Sequence, residues 1–219
     1  MAQRGHFITF EGIDGCGKTT QMRKLIDRMR HAFYDVHESA EPGGTPIGMQ
    51  VRRILLDSAN QELSPTAELL LYFAGRAQNI DQWIKPAIAE GRIVISDRFT
   101  DSTLVYQGAG RGLSTEMILQ LHEIACRGVN PDLTIIIDID LETSLARAKK
   151  RNKVLSDQNQ PDETRMDEQA VDFHRRARDA YAELAKKESG RIAVIDGRRS
   201  IDAISDDVWD TVRRRLLVR

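Results

Sequence analysis

Residues 12–19 read G-I-D-G-C-G-K-T, which is the G-x-x-x-x-G-K-T spacing of a phosphate-binding loop. Glycines let successive backbone N–H groups converge on phosphate oxygens, and the helix that follows adds its positive N-terminus. Lys18 can then reach the β- and γ-phosphates of a nucleotide, while the Thr19 hydroxyl can ligate Mg²⁺. An apolar run at 6–10 precedes the loop and a helix-compatible stretch follows it, so the sequence predicts a nucleotide-binding site here.

Two further polar clusters suit phosphate and metal chemistry. Residues 41–45 read E-P-G-G-T, and the two glycines permit a ligand close to the backbone. Asp97 and Arg98 follow another apolar run, where an Asp can orient water on Mg²⁺ and an Arg can hold a phosphate bidentately. An Asp-Arg pair is also compatible with a local salt bridge, so the functional interpretation depends on the three clusters meeting at one edge of a sheet.

Alternating strands and helices are expected to position these clusters. Strands are predicted at 6–10, 92–96, 133–138 and 191–195, with a weaker one near Val36. Helices are predicted at 18–33, 46–57, 64–90, 114–127, 141–151, 164–188 and 200–217. The order predicts an α/β fold, a parallel five-stranded sheet with helices on both faces, in one domain over 1–219.

A polar stretch at 152–164, which contains Pro161, fits neither pattern. It is predicted to be a mobile loop, and such loops in phosphate-handling enzymes often close as lids. Basic residues crowd its start from Arg147 to Lys153, and Arg165 stands at its end. The predicted lid segment therefore covers about 147–165.

Composition narrows the class of protein. The 219 residues carry 32 Lys and Arg against 33 Asp and Glu, so no global charge predicts binding to nucleic acid or to a membrane surface. The two cysteines, Cys16 and Cys126, lack C-x-x-C spacing, which suits a reducing compartment and predicts no cysteine metal site. We found no signal-peptide pattern and no run long enough to span a bilayer, so a cytoplasmic protein is expected.

Together the motifs resemble those of the thymidylate kinase family, which are P-loop nucleoside monophosphate kinases. The resemblance spans nearly the whole chain and is carried by Phe10-Glu11-Gly12, Lys18-Thr19-Thr20, residues 41–45, Asp97-Arg98-Phe99-x-x-Ser102-x-x-x-Tyr106-Gln107 and Pro131-Asp132-Leu133-Thr134. It implies transfer of the ATP γ-phosphate to dTMP, giving dTDP, with Mg²⁺ as cofactor and usually as a homodimer. Phe99 departs from the family, whose members more often carry Tyr or His there.

The resemblance also implies which residues bind each substrate. For ATP these are Gly12, Ile13, Asp14, Gly15, Cys16, Gly17, Lys18, Thr19, Thr20 and Arg147. For dTMP they are Asp14, Glu41, Pro42, Arg52, Tyr72, Arg76, Arg98, Ser102, Thr103, Tyr106 and Gln107. The metal would be held by Thr19 directly and by Asp97 through water.

Within the dTMP set, each implied role is specific. Asp14 would meet the sugar 3′-OH and help organise the metal, while Arg52 and Arg98 would clamp the phosphate. Tyr72 and Arg76, one helical turn apart, would take the thymine ring and its carbonyl edge. The apolar sequence around Tyr72 is equally compatible with core or a dimer seam. Ser102, Thr103 and Gln107 would face the base, and Tyr106 would lie near C2′ and disfavour a ribose hydroxyl.

The phosphoryl group also needs a cation for its developing charge. Some family members carry an arginine in the phosphate loop, but this chain has Gly15 at that position. The chain is therefore similar to the bacterial type, in which a lid arginine closes over the phosphates. The predicted catalytic residues are Lys18, Arg98, Asp14 and Arg151, with Arg147 and Arg165 in reserve.

Other P-loop classes fit less well. A GTPase would carry Asn-Lys-x-Asp, whereas residues 152–155 read N-K-V-L, and 137–139 (I-D-I) lacks the carboxylate pair of a mechanical ATPase. A kinase for another acceptor, such as dUMP, remains open alongside the dTMP kinase.

Overall fold

The computed structural model describes residues 4–158 and 163–217. Within them, five parallel strands form one sheet in the order β2-β3-β1-β4-β5. The strands are β1 Phe7–Glu11, β2 Val36–Ala40, β3 Ile93–Asp97, β4 Leu133–Asp138 and β5 Ile192–Asp196. The predicted α/β fold is confirmed, including the weaker strand near Val36.

Helices cover the sheet. In the described ranges these are α1 Lys18–His31, α2 Pro46–Leu56, α3 Pro65–Asn79, α4 Lys85–Ala89, α5 Thr100–Thr103, α6 Thr115–Cys126, α7 Leu141–Asp157, α8 Val171–Lys187 and α9 Ile201–Val212. Wider π-helical turns occur at Ile80–Ile84, Leu104–Gly110 and Arg213–Leu217, and a 3₁₀ turn at Ser58–Asn60. Of the helices described, none has the length and apolar character needed to cross a membrane.

The central strand fixes where the site lies. All five residues of β1 are buried, as expected for a parallel strand covered on both faces. The strand pairs with β3 on one side and β4 on the other, with Phe10 opposite Asp97 and Glu11 opposite Ile136. The chain runs from β1 to one side of the sheet and later returns to the other, so a crevice opens at the carboxyl end of β1.

Local sequence explains where α2 and α3 begin. The Thr45 hydroxyl accepts a hydrogen bond from the backbone N–H of Gly48 at 2.8 Å, and the Ser64 hydroxyl accepts one from Ala67 at 3.3 Å. Each cap is followed by a proline, whose missing N–H costs nothing at the first helical position. The predicted start at Ser64 is confirmed.

The single helix predicted over 64–90 is divided by the π-helical turn at Ile80–Ile84. Pro86 has no N–H to donate to the preceding turn, and widening that turn accommodates it. The helical path continues to Ala89 in spite of this change.

The prediction of a loop at 152–164 is wrong for residues 152–157, because α7 continues through Asn152 to Asp157. Polarity was a poor guide here, since Arg151 and Asn152 both find a tertiary partner in Asp167. The helix predicted from 164 begins only at Val171. Residues 159–162, which include Pro161, lie outside the described residues.

The structure also contains a helical segment that the sequence patterns did not predict, Thr100–Thr103 continuing into Leu104–Gly110. Every residue of Thr100–Thr103 is buried, so the segment shows no amphipathic periodicity. It carries four of the predicted dTMP-binding residues.

Candidate active site

The phosphate loop lies between β1 and α1 and depends on glycine conformations. Gly15 has a φ of +82°, and a Cβ there would lie 2.3 Å from the backbone oxygen of Ser144 on α7. The Ser144 hydroxyl also donates a hydrogen bond to the backbone oxygen of Asp14. Because α7 packs this closely on the loop, no side chain fits at position 15, and a loop arginine is excluded sterically.

A cavity of about 1030 Å³ opens beside the loop, at the carboxyl ends of β1, β2 and β3. Most of the predicted site residues line it: Asp14, Lys18, Thr19, Glu41, Pro42, Arg52, Tyr72, Arg76, Asp97, Arg98, Ser102, Thr103, Tyr106, Gln107 and Arg151. The remaining predicted residues, Gly12, Ile13, Gly15, Cys16, Gly17, Thr20 and Arg147, do not line it.

Asp14 is the centre of charge in this cavity. Its Oδ1 lies 2.6 Å from Arg98 Nη2 and 3.6 Å from Lys18 Nζ, and its Oδ2 accepts a hydrogen bond from the Tyr106 hydroxyl at 3.1 Å. Burial opposes ionisation of Asp14, but the cations of Arg98, Lys18 and Arg151 outweigh it and lower the pKa. Asp14 is therefore an anion that holds several cations together.

Arg98 adopts an uncommon backbone conformation, with a φ of +71°. Its N–H donates to the Phe10 carbonyl at 2.9 Å, and its carbonyl accepts from the Ser96 hydroxyl at 2.9 Å. The guanidinium lies 4.8 Å from the Tyr106 ring centroid and donates to the Ser102 hydroxyl at 2.8 Å. Several neighbours thus direct one cation into the cavity.

Thr19 and Asp97 form an oxygen pair beside the phosphate loop. The Thr19 hydroxyl donates to Asp97 Oδ2 at 2.6 Å, although the two residues are 78 positions apart. Hydroxyl and carboxylate oxygens are ligands that Mg²⁺ accepts. The described ranges contain no group of three or more His, Cys, Asp or Glu residues that could hold a metal.

Arg76 lies in a buried polar pocket at the other end of the cavity. Its Nε donates to Glu41 Oε2 at 2.6 Å, and its Nη2 donates to the Thr103 hydroxyl at 3.0 Å. The guanidinium lies 4.8 Å from the Phe73 ring centroid and 4.9 Å from that of Phe99. Arg76 Nη1 is buried and makes no hydrogen bond with the described residues. A donor is therefore left for an acceptor that the protein does not supply.

Tyr72 and Gln107 complete this end of the cavity. Tyr72 is half-buried at the cavity wall. Burial raises the pKa of its hydroxyl to about 12, so the hydroxyl remains protonated. The Gln107 amide donates to Glu68 Oε1 at 2.8 Å. Glu68, itself fully buried, was missed from the sequence; its one signal there is a carboxylate within an otherwise apolar helix face.

Arg52 makes an ion pair at the cavity with Glu163, which lies within the predicted lid segment. Arg52 Nε and Nη2 donate to the two Glu163 carboxylate oxygens at 2.9 and 2.5 Å, and Nη1 donates to the Pro42 carbonyl at 2.9 Å. This bidentate geometry is also the one by which an arginine binds a phosphate.

The three arginines near the predicted lid have different surroundings. Arg151 lines the cavity and pairs with Asp167. Arg165 is buried and lies 2.7 Å from Glu68 Oε2, away from the cavity lining. Arg147 is exposed and makes no contact with the cavity. Arg151 is the one of the three that faces the space beside Lys18.

Comparisons with known proteins agree with this geometry. A model of the thymidylate kinase family matches residues 10–208. The chain is 45% identical over 212 residues to thymidylate kinase from Geobacter sulfurreducens, covering 97% of this chain and 98% of that protein. It is 45% identical over 204 residues to thymidylate kinase from Pelobacter propionicus, covering 93% and 92%. A crystal structure of thymidylate kinase from Ehrlichia chaffeensis superposes with a TM-score of 0.75 at 33% identity, covering 95% of this chain and 99% of that one.

Proposed function

The chain belongs to the thymidylate kinase family and catalyses ATP-dependent phosphorylation of dTMP to dTDP, and we propose that it does so in the cavity beside the phosphate loop. One observation carries the proposed location. Lys18, Arg98 and Arg151 face a single space around Asp14, where two anionic substrates could be brought together. The whole chain would act as one kinase domain, with a lid segment at about 147–165.

The ATP phosphates would bind the loop at 12–20, with Lys18 reaching the β- and γ-phosphates. Mg²⁺ would be held by the Thr19 and Asp97 oxygens, the latter through water, and would supply positive charge that offsets the charge of the phosphates. Arg147, exposed on α7, is proposed to stack on the adenine.

The dTMP phosphate would bind between Arg52 and Arg98. Both guanidiniums line the cavity and already hold carboxylates, Arg52 that of Glu163 and Arg98 that of Asp14. A phosphate is the same kind of partner with more charge, so dTMP would compete with Glu163 for Arg52. Asp14 would then be free to accept the sugar 3′-OH.

Thymine would fill the end of the cavity at Arg76. Its free Nη1 suits the O4 acceptor of thymine, and Glu41 and Thr103 hold the guanidinium in that orientation. Tyr72, Ser102, Thr103 and Gln107 are proposed to face the base. Tyr106 would lie near C2′ and exclude a ribose hydroxyl.

The transfer itself requires position and charge more than covalent help. Arg98 would hold the acceptor phosphate in line with the ATP γ-phosphate, and Lys18 and Arg151 would stabilise charge on the transferring group. Position 15 cannot carry an arginine because α7 packs against it, which supports the assignment of this role to Arg151.

The chain is also proposed to be a cytoplasmic homodimer. Within the described residues both cysteines are unpaired thiols, which suits a reducing compartment. Large apolar side chains are exposed on α2, α3 and α6, and α3 packs against both α2 and α6. Such a patch is typical of a surface that binds another protein.

A coupled assay of ADP release with a panel of nucleoside monophosphates tests the proposed pocket. We expect dTMP to be preferred over dCMP by about 10- to 100-fold in kcat/KM, because dCMP would present a donor to Arg76 Nη1 and leave it unpaired. dUMP, which keeps the O4 acceptor, should lie between them. Equal kcat/KM for dCMP and dTMP would remove Arg76 from base recognition.

A further inference from the structure

Glu11, the last residue of β1, is a fully buried carboxylate with no role in the proposed reaction. Its Oε1 accepts a hydrogen bond from the backbone N–H of Phe99 at 2.8 Å. Its Oε2 accepts two more, from the Ser102 hydroxyl at 2.5 Å and from the Tyr181 hydroxyl at 2.8 Å. The carboxylate therefore gathers two hydroxyl groups from two separate helices.

Both hydroxyls also contact Arg98. Arg98 Nη1 lies 2.8 Å from Ser102 Oγ and 3.3 Å from the Tyr181 oxygen. A hydroxyl has one proton to donate, and an ionised carboxylate can only accept. When both hydroxyls donate to Glu11, their lone pairs remain available to the Nη1–H groups, so the charge of Glu11 sets the direction of the whole network.

We propose that Glu11 and Tyr181 are positioning residues that act through this network to hold the Arg98 guanidinium where it grips the dTMP phosphate. The inference rests on the proposed role of Arg98. Asp14 holds Nη2 at 2.6 Å and the Tyr106 hydroxyl lies 3.3 Å from the same nitrogen, so both of these hydrogen bonds act on Nη2 and neither acts on Nη1. The Ser102 and Tyr181 oxygens fix the second nitrogen, and Glu11 also holds the backbone immediately after the strained Arg98.

Tyr181 contributes to this network from a part of the chain that is distant in sequence. It lies on α8, the helix that follows the predicted lid, and its hydroxyl is buried 83 positions from Arg98. The site thus depends on a helix that supplies none of the residues predicted to bind dTMP.

The protonation of Glu11 determines the conditions of a test. Burial and the nearby Asp101 raise the pKa of Glu11 to about 7, whereas Arg98, Ser102 and Tyr181 favour the ionised form. Arg191, which pairs with Asp101, is a further cation that acts on Glu11. At pH 8 the carboxylate form predominates, so measurements belong there.

The experiment compares binding of dTMP with binding of thymidine, which lacks the phosphate, by titration calorimetry at pH 8. We expect Tyr181→Phe and Glu11→Gln each to weaken dTMP binding by about fivefold or more, the loss of roughly one hydrogen bond. Thymidine affinity should stay within about twofold of the wild type, because Arg98 does not contact the nucleoside. Tyr34→Phe, a partly exposed tyrosine far from the cavity, is the matched control and should change neither affinity.

A double-mutant cycle separates positioning from general loosening of the pocket. In an Arg98→Met background, Tyr181→Phe should weaken dTMP binding no further, since the group it positions is gone. The inference would be overturned if the variants weakened dTMP and thymidine binding equally, or if they left dTMP binding unchanged. It would also be overturned if Tyr181→Phe weakened dTMP binding as much in the Arg98→Met background as in the wild type. Thermal unfolding checks that every variant folds, and if either Tyr181→Phe or Glu11→Gln does not fold, the other one carries the test.

Arg98→Met on its own tests the proposed function. If this substitution weakens dTMP binding no more than thymidine binding, the assignment of Arg98 to the dTMP phosphate is wrong. If it weakens dTMP selectively while Tyr181→Phe and Glu11→Gln do not, the assignment stands and only the positioning network is wrong.

Discussion

Asp14 holds two cations whose proposed partners are phosphates. Arg98 lies 2.6 Å and Lys18 3.6 Å from its carboxylate, and Arg151 adds a third positive charge to the same region. A single carboxylate cannot satisfy all the donors of an arginine and a lysine. The surplus of positive charge would thus be available to anionic substrates, and we expect Asp14 to keep the cations in place until the substrates bind.

Lys18→Ala should abolish phosphoryl transfer while the protein still folds. Lys18 would contribute charge to the proposed substrate site, and Asp14 keeps Arg98 as a partner after the change, so catalysis should suffer far more than stability. The measurements are kcat with saturating ATP and dTMP, and the melting temperature. Lys24→Ala, on the same helix but paired with Asp202, is the matched control and should retain near-normal kcat. A folded Lys18→Ala protein with near-normal kcat would contradict the assigned site.

At the scale of elements, α7 affects both the phosphate loop and the cavity beside it. Its backbone at Ser144 leaves no space for a side chain at Gly15, and its later turns bring Arg151 to the cavity. The helix that excludes a loop arginine therefore supplies another one from its own surface.

Arg151→Ala should lower kcat by about 10² or more and change dTMP affinity little, as expected for an arginine that acts mainly on the transition state. Measuring kcat checks the expected loss of rate, and measuring the dTMP dissociation constant checks that affinity changes little. Lys150→Ala removes the neighbouring exposed cation, which does not line the cavity, and should have little effect. If single alanine substitutions of Arg151, Arg147 and Arg165 each left kcat within about threefold of the wild-type value, the lid-arginine mechanism would be wrong.

Arg165 should act on stability instead. It is buried against Glu68, which Arg111 also contacts at 3.1 Å, so the pair ties the segment before α8 to α3. Arg165→Ala should lower the free energy of unfolding by about 3 kcal/mol, because it leaves part of a buried charge uncompensated. Urea unfolding measures this. Arg175→Ala, which removes an exposed pair with Asp172, should leave the unfolding midpoint nearly unchanged.

The whole molecule exposes apolar side chains on three adjacent helices: Ile47 and Ile54 on α2, Leu70 on α3, and Leu119 and Ile124 on α6. If this surface forms the proposed homodimer, the wild type should sediment at about twice its 24.8 kDa chain mass. Leu70→Asp should shift the protein to the monomer, because an unpaired charge would be buried at the interface. Val171→Asp, at an exposed position on α8, should leave the dimer intact. A wild-type protein that sediments as a monomer would contradict the homodimer.

Local patterns in the sequence were sufficient for the sheet and the phosphate loop. Four of the five strands are short apolar runs, β2 being the weaker exception, and the G-x-x-x-x-G-K-T spacing is contiguous, so no distant contact was needed to recognise them. The Thr45 and Ser64 caps are equally local. Most site residues named from the family resemblance, including Arg52, Arg76 and Gln107, line one cavity, although their individual roles stay predictions.

Tertiary packing decided the rest. Helix α7 extends past Asn152 because Asp167 pairs with its surface, and residues 100–110 form helical turns that are buried apart from Leu104 and Ala109 and so lack a periodic signal. Glu11, Glu68 and Tyr181 hydrogen-bond to predicted site residues, Glu11 and Tyr181 to Ser102 and Glu68 to Gln107. Sequence spacing does not reveal such contacts, because a buried carboxylate's partners are chosen by where the chain brings them in space and not by their distance along it.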